Sequence, residues 1–113
     1  MIPKRSESDT TASIRAALDR HGIWHWKHHS GGYFGLKGVP DIIGSMPGTG
    51  RAIYIEVKRE GWTPPKPTAI KAYAHYQDQL RFIVRAKMLG YALAGFATSV
   101  EEALKIIGIE DII

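Results

Sequence analysis

Ile53, Ile55 and Val57 alternate with Tyr54, Glu56 and Lys58. A period of two sends the first set to one face of a strand and the second to the other. The run 52–58 is therefore predicted as a strand, and the apolar stretch 41–46 before it as another. Between them Pro47-Gly48-Thr49-Gly50 is the clearest turn in the chain. Upstream, residues 6–21 have a helical period, with Ile14 and Leu18 four apart. Ser6 or Ser8 caps this helix, Glu7 and Asp9 suit its first turn, and Gly22 ends it. Residues 23–29 read as a strand carrying Trp24 and Trp26, followed by a turn at Ser30-Gly31-Gly32 and an irregular stretch from Gly35 to Gly38.

Downstream, residues 61–67 contain Pro64, Pro65 and Pro67 and exclude regular structure. Ile70, Tyr73, Gln77, Leu80, Val84 and Met88 then follow a helical period, predicting a helix over 69–89 closed by Gly90. Residues 91–97 are apolar enough for a buried strand. Ser99-Val100-Glu101-Glu102 is a capping box that opens a last helix, running to Ile107 before Gly108. The order α-β-β-β-α-β-α predicts an α/β protein, a mixed sheet flanked by helices.

Composition narrows the setting. With 113 residues, 44% of them hydrophobic, residues 1–113 are expected to form a single domain around one core. No apolar run approaches the roughly 18 residues of a membrane span, and the polar start of the chain does not resemble a signal peptide. The absence of cysteine excludes disulfides and thiolate metal sites and fits a cytoplasmic location. The net charge of +4 favours a polyanionic partner such as nucleic acid.

The hairpin turns two of its carboxylates into candidate chemistry. Counting outward equally from a turn centred between Gly48 and Thr49 puts Asp41 opposite Glu56. Side chains so opposed have Cβ atoms roughly 4.5–5.5 Å apart, and like charges there destabilise a sheet unless compensated. A hard divalent cation is the natural compensator. Lys58 lies two residues beyond Glu56, on the same face. One amine and two carboxylates in this arrangement suit phosphodiester hydrolysis.

Gly38-Val39-Pro40-Asp41-Ile42-Ile43-Gly44, then Ile55-Glu56-Val57-Lys58, then Gln79 with Phe82-Ile83 and Gly90, resembles the VRR-NUC branch of the PD-(D/E)xK nuclease superfamily. It is similar in particular to the small stand-alone versions of phages and bacteria. The resemblance runs from about Glu7 to Leu104 and implies a restriction-endonuclease-like core. It further implies a Mg²⁺- or Mn²⁺-dependent endonuclease acting on DNA, with Asp41 and Glu56 as metal ligands and the Val57 main-chain carbonyl as a third. Lys58 would orient the attacking water or stabilise developing charge. Glu7 takes the place of the family's early helical glutamate, and two metals would bind if it reaches the site. Gln79 takes the place of the family's glutamine near the site, with Gln77 as the alternative. The chain departs from the pattern in lacking the glutamine that often follows the first glutamate. Its link between lysine and glutamine, residues 61–76, is also longer than usual. Trp62, Lys66 and Lys71 there are read as DNA contacts, a lid or a dimer element.

Stand-alone members resemble Holliday-junction resolvases and act as homodimers, which implies a branched DNA substrate and a two-fold assembly in a bacterial or phage-infected cell. The apolar tail 106–113 and residues 91–97 are candidate interfaces. Lys4, Arg5, Arg15, Lys37, Arg51, Arg59 and Lys66 are candidate phosphate contacts. Trp24 and Trp26 are assigned to the core, with base stacking as the alternative. His25, His28 and His29 match no common zinc spacing and are placed beside the DNA path. The competing readings are a DNA-binding or assembly module with the fold but no turnover, and a nuclease for flaps, linear DNA or a specific sequence.

Overall fold

The computed structural model describes residues 3–29 and 36–109. The elements follow the predicted order: α1 (Glu7–Arg20), β1 (Trp24–Lys27), β2 (Ile42–Ser45), β3 (Ala52–Val57), α2 (Ile70–Leu89), β4 (Leu93–Ala97) and α3 (Val100–Ile106). The strands form one mixed sheet in the order β1-β2-β3-β4. The first two pairings are antiparallel and the third, across the α2 crossover, is parallel. The expected turn at 30–32, Gly35 and the end of the tail at 110–113 lie outside the described residues.

The alternation in β3 divides the molecule. Ile53, Ile55 and Val57 are fully buried among Ile14, Leu18, Ile42, Ala97 and Leu104, so α1 and α3 cover this face and form the core. α2 packs on β3 and β4 over the opposite face, which carries Tyr54, Glu56 and Phe96. Ser6 caps α1 by accepting from Asp9 N–H at 3.1 Å, and Ser99 caps α3 by accepting from Glu102 N–H at 3.1 Å. Glu102 does not complete a reciprocal box. Its carboxylate accepts from the N–H and hydroxyl of Thr98.

Three expectations change. Trp24 and Trp26 are not core residues: they are 69% and 42% exposed, because β1 is an edge strand and their side of it faces away from α1. The period read on α2 marks its outer face. Leu80, Val84 and Met88 are exposed, and the buried positions are Gln79 and Ile83. β4 begins at Leu93 rather than at 91. Gly90 closes α2 as its C-cap at φ −104°, and Tyr91 after it is exposed in a left-handed conformation (φ 56°).

Candidate active site

Ile42 pairs with Ile55, Ile43 with Tyr54, Gly44 with Ile53 and Ser45 with Ala52. Carried one step beyond the ladder, this register sets Asp41 opposite Glu56, as counted from the turn. Residues opposed across a sheet share a face, so both carboxylates point to the α2 side. Asp41 Oδ2 accepts from Val57 N–H at 2.8 Å, which fixes the aspartate at the end of the hairpin.

Pro40 is fully buried and Gly38 approaches α2 closely. A Cβ on Gly38 would lie 2.3 Å from the Asp78 carbonyl oxygen and 2.7 Å from Gln79 N, and the residue has φ +76°. Only glycine tolerates that contact in that conformation. The glycine therefore brings the loop before Asp41 against the middle of α2 and sets the width of the site.

Glu56 is only 3% exposed. Burial first, then the hydrogen bond and negative charge of Asp41, push its carboxyl from an ordinary 4.5 up to about 10. Lys58 opposes the shift and Glu7 adds to it. In the absence of a cation Glu56 therefore keeps its proton through neutral pH, hydrogen-bonded to Asp41. Lys58 Nζ donates to Gln79 Oε1 at 2.9 Å and lies 5.3 Å from the centre of the Trp62 ring. Gln79 Nε2 stands 3.1 Å from His75 Nε2. A lysine ammonium only donates, so the Gln79 oxygen must face it and the amide NH₂ must face the histidine. His75 Nε2 is then the acceptor, with its proton on Nδ1. His75 escaped sequence reading, although it lies four residues before Gln79 and thus on the same helical face.

Trp62 stacks on Phe96 (5.4 Å between centroids, 17° between planes) and packs on Tyr76. The long link thus supplies an aromatic wall beside Lys58. Glu7, Asp41, Glu56, Lys58, His75 and Gln79 all line one open cleft of about 770 Å³, with Lys37 at its edge. Gln77, the alternative to Gln79, is absent from the lining.

The other basic residues are more dispersed. Arg5 donates to Asp9 O at 3.0 Å and lines a separate recess with Glu60 and Lys105. Arg51 lies at the turn end of the hairpin, 4.4 Å over the Tyr91 ring, and donates to Tyr91 O at 3.1 Å. Neither reaches the carboxylates. Arg15 Nε is buried without a hydrogen-bond partner. Lys4 extends along Gly61, and Arg59, just before the link, and Lys66 on it are exposed. Among the described residues no three or more His, Cys, Asp or Glu side chains are grouped to hold a metal, and no helix is long and apolar enough to cross a membrane.

A solved structure titled "VRR_NUC domain" superposes with a TM-score of 0.64 at 25% identity, over 89% of this chain and 92% of that one. No family model matches the chain, and no curated protein does. The chain has a VRR-NUC domain fold, an α/β nuclease-like core.

Proposed function

We propose that this protein is a metal-dependent DNA endonuclease that hydrolyses phosphodiester bonds and selects branched DNA such as a Holliday junction. The observation that carries the reading is the opposition of Asp41 and Glu56 in the same cleft as Lys58, which Gln79 holds. The likeness to a VRR-NUC domain supports a nuclease-type activity and DNA as partner.

The donor set fits a divalent metal. Two opposed carboxylates, one of them buried and forced to keep a proton, gain most from a hard cation that replaces that proton. Asp41 and Glu56 would hold Mg²⁺ or Mn²⁺, with the Val57 carbonyl as the third protein ligand and Glu7 available at the rim of the cleft. When bound, such an ion acidifies water and neutralises charge on the phosphate oxygens. Lys58 places its ammonium beside the reacting phosphate, stabilising the charge that builds as water oxygen bonds to phosphorus, the P–O bond to the leaving oxygen breaks, and the proton lost by the water passes through solvent to the departing alkoxide. Gln79 and His75 orient that ammonium, and the Trp62 ring limits its motion.

Lys37 and the exposed Arg59 and Lys66 flank the cleft and its link as phosphate contacts, with Lys4 beside them. Arg5 and Arg51, assigned the same task, contribute to the basic field from further away. We assign the homodimer to the exposed outer stripe of α2, Leu80, Val84 and Met88, because a two-fold axis there would match two sites to the paired strands of a junction. Ile106 and Ile107 pack on the core, which leaves the start of the tail no role in an interface. The cysteine-free composition suits a cytoplasmic setting in a bacterial or phage-infected cell.

The test is a panel of junction, flap, duplex and single-stranded DNA with Mg²⁺, Mn²⁺ or EDTA, alongside Asp41→Ala. Metal-dependent cleavage of branched DNA that disappears in the variant is expected. Binding without cleavage under every metal condition would instead assign a non-catalytic module.

A further inference from the structure

Trp24 and Trp26 are exposed aromatic residues that the proposed chemistry leaves unused. Their placement follows from the register. Trp26 is opposite Ile43, which is opposite Tyr54, two residues before Glu56 on β3. Trp24 and Trp26 therefore share the sheet face of Asp41 and Glu56. The contacts of β1 with a helix are to α1, on the other face. The two indoles touch each other, with centroids 5.0 Å apart and planes at 55°, and remain 69% and 42% exposed.

An edge strand normally presents lysine or another charge at such positions. A pair of indoles left in water forgoes a large apolar gain. Beyond Trp26 the strand leads directly to the site. His28 N–H donates to Asp41 O at 2.6 Å, and Lys27, His28 and His29 line a recess shared with Glu7 and Asp41. The order from the edge to the carboxylates is thus two flat aromatic surfaces, a cationic and imidazole segment, then the acids. At about 3.4 Å per residue, Trp26 lies roughly 7 Å and Trp24 roughly 14 Å along the strand from the level of Asp41.

We propose that Trp24 and Trp26 form a stacking platform for unpaired bases of the DNA strand that continues from the cleft. The occupant is a single-stranded arm or an unpaired segment at a branch. Stacked bases inside a duplex do not offer their faces to a side chain, whereas unpaired ones stack on aromatic residues whatever their sequence. The inference rests on the nuclease reading only in taking the cleft as the place where the backbone passes.

The test uses the whole chain with Ca²⁺ in place of Mg²⁺ and compares two fluorescein-labelled DNAs, a blunt duplex and the same duplex with a single-stranded thymidine arm. The double variant Trp24→Ala, Trp26→Ala is expected to bind the armed DNA roughly 10- to 100-fold more weakly. Its affinity for the blunt duplex should change by less than about twofold, and Trp24→Phe, Trp26→Phe should restore most of the difference. Unchanged affinity for armed DNA would overturn the proposal. So would an equal loss on both DNAs, or a loss traced to a change in sedimenting mass. If the double variant does not melt cooperatively, Trp24→Ala alone decides by the same comparison, since that residue is 69% exposed. Cleavage in Mg²⁺ is scored separately. Tryptophan-dependent binding by a wild type that cuts nothing would refute the nuclease and keep the platform. Cleavage with tryptophan-independent binding would do the reverse.

Discussion

Glu56 sits where a carboxylate is least comfortable, buried beside Asp41 and opposed by a single lysine. Its folded-state pKa lies above its unfolded one, so the folded chain retains a proton that the unfolded chain releases at lower pH. This contribution to stability is complete below about 4.5 and declines as pH rises through the window up to about 10. Metal-free protein should therefore lose thermal stability steadily from pH 5 to pH 9. Glu56→Gln keeps the hydrogen bond to Asp41 without needing the proton. It should raise the metal-free Tm at pH 8, where a gain of about 1 kcal/mol appears as roughly 4–8 °C, and flatten the pH profile. A wild-type Tm independent of pH would contradict a proton held on Glu56. On the proposed reading that a cation replaces that proton, Mg²⁺ or Mn²⁺ should stabilise the wild type more at pH 8 than at pH 5, by about 2.7 kcal/mol at a hundredfold excess over Kd. The effect should vanish in Asp41→Ala. Lys58→Ala should retain this metal-induced shift while losing on the order of 10²–10³ in cleavage rate.

The elements show which parts of the site local pattern can reveal. The hairpin was legible because strand alternation and a Pro-Gly turn fix register without help from the rest of the chain, and the observed ladder matches the count from Gly48–Thr49. α2 was legible in extent and not in orientation. Leu80, Val84 and Met88 of the predicted stripe line the outer surface, while Gln79 and Ile83 face inward. A periodic stripe shows that a helix has an apolar face, but what that face meets is decided by tertiary packing. The same limit misplaced the tryptophans, whose burial depends on which strand becomes the edge. Gly38 is the element-scale hinge of the design, since its missing Cβ lets α2 deliver Gln79 to Lys58. Gly38→Ala should cost several kcal/mol, by both steric conflict and positive φ. It should reduce cleavage even at temperatures where the variant is folded. Melting and activity within error of wild type would remove the loop–helix contact from the account.

At the scale of the whole molecule, one sheet face forms the core and the other carries the candidate site. α1 and α3 seal the core face. α2 covers the β3–β4 half of the other, and Trp24 and Trp26 lie on its β1–β2 half. The outer stripe of α2 should mediate self-association, so that Leu80→Asp with Val84→Asp gives a monomer by analytical ultracentrifugation. Junction cleavage would then fall more than tenfold while duplex binding persists. A monomeric wild type would refute that interface without touching the active site. The most direct test of the central claim is cleavage of labelled four-way-junction DNA in Mg²⁺ by wild type, Asp41→Ala and Lys58→Ala, with EDTA as control. Wild type should release defined fragments only with the metal, and both variants should leave the junction intact while still binding it. Cleavage that survives EDTA or loss of Asp41 would show that the opposed carboxylates are not the reaction centre.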